Sequence, residues 1–110
     1  MEFGASRHSE IAALVAQCTG FEWDAGNSGK NWKKHGVSDA EAEEIFESRP
    51  LVFYDDTSHS MEEARYTLLG RNAGNSLRTV VFTIRRMKLR VISARAMSAK
   101  DRKLYADATA

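Results

Sequence analysis

Cysteine is all but missing: Cys18 stands alone, so no internal disulfide can form, and there is no CxxC motif or Cys/His cluster. Such usage fits a reduced, cytoplasmic setting. His8, His35 and His59 are far apart and lack HExxH or related spacing, so no metal site is expected. There is no glycine-rich phosphate loop and no GxSxG elbow, and no cofactor is expected. No apolar run approaches the roughly 20 residues that a membrane span needs. Arg7, His8 and Glu10 interrupt the stretch that a secretion signal would keep apolar, so no signal peptide is expected. Internal repeats and low-complexity linkers are also lacking.

What remains is one domain's worth of chain: 110 residues, 43% hydrophobic, enough for one modest core. The net charge of +1 hides an asymmetry. Residues 39–63 hold nine acids and one base, Arg49, whereas residues 77–104 hold nine bases and one acid, Asp101. A basic second half suits an anionic partner, nucleic acid first. The alternative is that the two halves attract each other across the fold.

Residues 77–96 organise the rest. Val80, Phe82 and Ile84 alternate with Thr79, Val81, Thr83 and Arg85, the period of a β-strand. After a break at residues 86–88, Leu89, Val91, Ser93 and Arg95 alternate with Arg90, Ile92, Ala94 and Ala96. Ile11, Leu14, Val15 and Cys18 have helical spacing, with Ser9 as N-cap and Gly20 as stop. Residues 21–24 read as a brief strand. Asp24 is placed to cap a helix reaching His35, with Gly36 as its left-handed end, although residues 26–29 are poor helix formers. Ser38 and Glu41 form a capping-box pattern before a helix burying Ala42, Ile45 and Phe46, ended by Pro50. Residues 51–54 and 65–71 read as strands, with a polar loop over 55–61 between them and a hairpin turn at 72–76. Ser98 and Asp101 open a closing helix. The fold class is therefore α+β: an antiparallel sheet of about four strands, helices packed on one face, and a short C-terminal helix.

One reaction suits such a chain: RNA cleavage by the 2′-hydroxyl attacking its neighbouring phosphate. The substrate supplies the nucleophile, so the protein needs only a base, an acid and cations for the phosphoryl charge. Lys34, His35, Glu63, Arg65, Arg85, Arg95 and Tyr105 are groups of the right kinds. Each also has a structural reading. His35 can cap a helix C-terminus, Lys34 can be a solvated charge, and Glu63 and Arg65, two apart on one strand face, can pair with a neighbouring strand. Arg95 is the strongest phosphate candidate, because its fork binds phosphate bidentately, and Tyr105 can belong to the core.

Residues 21–24 (Phe-Glu-Trp-Asp), 31–38 (Asn-Trp-Lys-Lys-His-Gly-Val-Ser), Glu41-Ala42 and Ile45-Phe46 resemble the BrnT toxin family. Residues 62–65 (Glu-Glu-Ala-Arg), 69–71 (Leu-Gly-Arg) and 91–95 (Val-Ile-Ser-Ala-Arg), with Arg102 and Tyr105, continue the resemblance over some four-fifths of the chain. The resemblance implies a RelE-like toxin of a type II toxin–antitoxin pair, a metal-independent endoribonuclease that inhibits translation and growth. It also implies silencing by a BrnA-like ribbon-helix-helix antitoxin, and operator DNA bound only through that complex. Carried over by motif, Lys34, His35, Glu63, Arg65, Arg95 and Tyr105 are the catalytic candidates. Arg85, Lys88, Arg90 and Arg102 are the candidate RNA-binding cations. RNA, free or on the ribosome, is the expected substrate, and no membrane partner is expected. Residues 1–20 are then an N-terminal helical extension and 21–110 the toxin domain. The chain departs from the family at Asn27, where a Lys is usual, at Gly26 and Gly29, and in a turn at residues 86–88 without glycine. The rival reading is a non-enzymatic module that binds nucleic acid or a partner, such as a decayed toxin acting as the antitoxin's corepressor.

Overall fold

The structure, a computed structural model, describes residues 5–56 and 63–110. His59 and most of the loop expected over residues 55–61 lie outside the described residues. The elements run α1 (Ala5–Gln17), α2 (Lys30–His35), α3 (Asp39–Ile45), β1 (Val52–Asp55), β2 (Tyr66–Arg71), β3 (Leu77–Arg85), β4 (Lys88–Ala96) and α4 (Ala99–Thr109). The strands form one antiparallel sheet in the order β1-β2-β3-β4. This is the expected α+β architecture.

Alternation along the strands sorts side chains to two faces. Phe53, Leu68, Val80 and Phe82 join Val37, Ala42, Ile45, Phe46 and the fully buried Ile11 in the larger core, beneath α1 and α3. Phe82 is its centre, edge-on to Phe46 and Phe53 with ring centroids 5.1 and 6.1 Å away. Val52 and Leu69 point the other way and pack with Met97 and Tyr105 beneath α4. The first three helices thus serve one face and its edges, while the C-terminal helix covers one end of the opposite face. Much of that second face stays open.

Both edge strands are covered, which removes the template for pairing with another chain. On β1, the Phe53 N–H donates to His8 Nδ1 of α1 (3.0 Å), and Arg7 pairs with Asp55 (2.7 Å). On β4, Asn27 Nδ2 donates to the Val91 carbonyl (3.1 Å), and Asn31 Oδ1 of α2 accepts from the Ala94 N–H (3.0 Å). Asn27 Oδ1 also accepts from the Asp24 N–H (2.9 Å), a part that a lysine, which has no acceptor, could not fill.

Several local expectations change. Ser9 lies inside α1, which starts earlier, at Ala5, so it is no N-cap. Residues 21–24 form no strand beyond one bridge, Phe21 to Leu89. The helix expected from Asp24 shrinks to α2, because the Asp24 carboxylate accepts from the Gly26 N–H in a turn and glycines 26 and 29 favour that alternative. Gly36 does end α2 in the left-handed conformation (φ 71°). Only half of the first capping box forms. Ser38 Oγ accepts from the Glu41 N–H, but the Glu41 carboxylate is drawn to Arg78 (2.8 Å) and Asn72 (3.0 Å). At α4 the box is complete.

The β3–β4 hairpin closes through Arg86 and Met87, at φ 49° and 65°, with Arg85 paired to Lys88. Two successive positive φ angles are the geometry that Asn-Gly adopts cheaply and side chains such as these do not. Replacing Arg86-Met87 by Asn-Gly is expected to stabilise the fold by about 1–2 kcal/mol. The measurement is the urea midpoint, which should rise with an unchanged slope.

Candidate functional site

The open part of the second sheet face, walled by the start of α4, forms a cleft of about 660 Å³. Arg65, Arg95 and Lys100 line it with the hydroxyls of Tyr54, Thr67, Ser93 and Ser98. Of the catalytic candidates, the structure brings Arg65 and Arg95 together here.

A β-bulge decides the direction of Arg95. Val81 opposes Ser93 and Phe82 opposes Val91, so Ile92 is an extra residue on β4. Strict alternation would have left Arg95 on the face of Leu89 and Val91, which is core. The extra residue switches the parity, puts Ala94 into the core instead, and turns Ser93 and Arg95 into the cleft. The expected grouping of Ser93 and Arg95 with Leu89 and Val91 is thereby corrected.

Arg95 is then held by α4. Its Nη1 donates to Asp101 Oδ2 (2.8 Å), and the same oxygen accepts from Thr79 Oγ1 (2.8 Å) and the Ser98 N–H (3.2 Å). Burial alone would raise the Asp101 carboxyl, but Arg95, Thr79 and Ser98 outweigh it and hold it below the usual carboxylate range. One buried carboxylate thus joins β3, β4 and the α4 N-terminus while aiming a guanidinium that keeps about a third of its surface open.

Tyr54 escaped the sequence reading, although its two-residue offset from Val52 on β1 places it on this face. Burial pushes its phenol up to about 12; the Asp101 and Asp56 charges add to this and Arg95 opposes it. It is a proton donor at neutral pH and no base. The cleft's acids are in part already engaged: Asp101 by Arg95, and Asp55 by Arg7.

The other candidates lie elsewhere. Glu63 and Arg65 precede β2, which starts at Tyr66, so they do not share a strand face as expected. Glu63 pairs with Arg85 on β3 (2.8 Å), which holds its carboxyl below the ordinary value. Tyr105 is buried, donates to the Pro50 carbonyl (2.8 Å), and accepts from Arg71 Nη2 (3.2 Å). Arg90 is clasped by Glu22 (3.1 Å) and Asp24 (3.0 Å), and Arg102 donates to the Met97 carbonyl (2.9 Å). Lys88 begins β4 beside Gly20. Lys34 and His35 are exposed at the end of α2. Both charge readings therefore have substance: Arg78–Glu41 and Arg85–Glu63 join the basic half to the acidic one, and the cleft keeps its cations.

Among the described residues, no group of three or more His, Cys, Asp and Glu side chains could hold a metal ion. None of their helices is long and apolar enough to cross a membrane.

A four-stranded antiparallel sheet with an arginine- and hydroxyl-lined face beside a C-terminal helix defines the class: a small α+β protein with an open, cation-bearing sheet face. Residues 23–101 match the family model of the ribonuclease toxin BrnT of type II toxin–antitoxin systems, and the chain belongs to that family. Helix α1 precedes the matched residues. No curated protein matches the chain.

Proposed function

We propose that this chain is a metal-independent endoribonuclease that works in the cytoplasm, inhibits translation, and is neutralised by a BrnA-like ribbon-helix-helix antitoxin. Operator DNA is reached only through that complex. Residues 1–20 act as an extension, whose helix α1 docks on β1 of a toxin domain spanning 21–110. The observation that carries the enzymatic reading is the cleft itself, where Arg95 is aimed by Asp101 beside Arg65 and a protonated phenol.

In this reading a phosphodiester seats on Arg95 and Arg65, with Lys34 adding charge from α2. The 2′-oxygen attacks phosphorus as its proton passes through water to a base, for which His35 and Glu63, both outside the cleft lining, are the candidates. The bond from phosphorus to the 5′-oxygen breaks, and Tyr54 Oη gives that oxygen a proton. The products are a 2′,3′-cyclic phosphate and a 5′-hydroxyl. The arginines neutralise charge that grows on the non-bridging oxygens, worth most in a partly dry cleft.

The test is cleavage of labelled RNA by antitoxin-free protein in excess chelator, with naked RNA and with translating ribosomes. Cyclic phosphate ends are expected. Tyr54→Phe should lower the single-turnover rate by about 10²-fold, a typical contribution of one positioned acid. Binding without cleavage in both settings would overturn the enzymatic reading and leave the partner-binding one.

A further inference from the structure

The sequence places the excess of positive charge in the second half, but the structure neutralises much of it there. Arg78, Arg85, Arg90 and Arg95 all pair with carboxylates. On α2, by contrast, Lys30, Lys33 and Lys34 make no ion pair among the described residues. The nearby acids are engaged elsewhere: Asp24 by Arg90, and Asp39 by Ser28 Oγ (2.6 Å) and the Gly29 N–H (3.1 Å). In the middle of this basic turn stands Trp32, 63% exposed, whereas Trp23 is half-buried and donates to Glu43 (2.6 Å).

An exposed indole flanked by unpaired lysines is the combination that holds single-stranded nucleic acid: the ring stacks on a base and the cations meet the backbone. The position of α2 supplies the continuity. Asn31, next to Trp32, accepts from the Ala94 N–H, and the neighbours of Ala94 on β4 are Ser93 and Arg95 of the cleft. α2 is therefore fastened to the strand that forms the cleft's rim.

We propose that Trp32, with Lys30 and Lys33, is a base-stacking platform that grips an unpaired nucleotide of the RNA beyond the cleft. The inference rests on the ribonuclease reading for its substrate class and adds a second contact outside the reacting atoms. It assigns the surface to single-stranded RNA over a protein partner, because three unpaired lysines beside an indole complement phosphate and a base face together.

The experiment titrates the protein with a single-stranded 2′-O-methyl RNA of about 12 nucleotides, within the usual site sizes. That RNA cannot be cleaved, so binding is read apart from chemistry. Quenching of indole fluorescence is expected, and Trp32→Phe should remove most of the quench while keeping most of the affinity. Trp32→Ala should weaken binding about 5- to 100-fold, and leave a blunt duplex of the same length unaffected. Lys33→Ala should lower the slope of log affinity against log salt by about 0.7, one phosphate's share on a single strand. Circular dichroism controls for folding. Equal affinity in Trp32→Ala overturns the platform and leaves the ribonuclease reading standing. Parental protein that binds no single-stranded RNA overturns the platform, and the ribonuclease reading falls with it only if translating ribosomes are spared as well. A variant that binds RNA normally but loses a ribbon-helix-helix antitoxin overturns the inference and gives the surface to that protein.

Discussion

Replacing Arg95 by Ala is expected to lower RNA cleavage by about 10²- to 10³-fold, the loss seen when one preorganised charge stabiliser is removed from an active site. The fold should survive. Arg95 lies at the cleft, partly open to solvent, and its removal leaves Asp101 with Thr79 Oγ1 and the Ser98 N–H. The stability cost is then that of leaving a buried carboxylate with two donors in place of three, about 1–2 kcal/mol. Arg95→Lys should recover only part of the activity, since an ammonium cannot hold Asp101 and a phosphate with one planar fork. The measurements are single-turnover cleavage and the thermal midpoint, made on the same preparations. Unaltered cleavage by Arg95→Ala would remove this residue from the mechanism, and a collapsed midpoint would make its role structural.

Local periodicity carried much of the fold. The strand pair over residues 77–96, the α3 stripe of Ala42, Ile45 and Phe46, and the second capping box are each determined by neighbours in sequence, and each formed. Several failures share a cause: competition from partners remote in sequence. Glu41 leaves its capping box for Arg78, thirty-seven positions away. Arg85 and Glu63 look like catalytic groups in a list of residues, and become an ion pair once β3 lies beside the segment leading into β2. The bulge at Ile92 is the sharpest case. Nothing in the alternation of residues 89–96 announces it, yet it alone decides whether Arg95 points to core or cleft. The motif resemblance named this strand end as a candidate without supplying a reason for the direction of its side chain. Tyr54 was within reach of the two-residue rule, and was missed because residues 51–54 were read only as a strand.

Asp101→Ala is the substitution in which structure and function should fall together. It removes the acceptor shared by Thr79, Arg95 and the Ser98 N–H, and so leaves the Thr79 hydroxyl, with the residue 1% exposed, without its partner. The cost is expected to be about 2–3 kcal/mol, set by a charged acceptor with several donors and discounted for the partial exposure of Arg95. For a domain of this size that is a drop in thermal midpoint of about 10 °C. Asp101→Asn keeps an acceptor for Thr79 and a similar shape while losing the charge, so it should cost less in stability but still release Arg95. Cleavage should therefore fall in both variants, whereas stability separates them. The pH dependence follows from the sign of the shift. The folded carboxyl lies below its unfolded value, so its stabilisation is present above about pH 4 and is lost as pH falls through the folded value. The stability gap between parent and Asp101→Ala should thus be widest near neutrality and narrow below about pH 4. A gap of constant size down to pH 2 would mean that Asp101 contributes by packing alone, and the aiming of Arg95 would need another source.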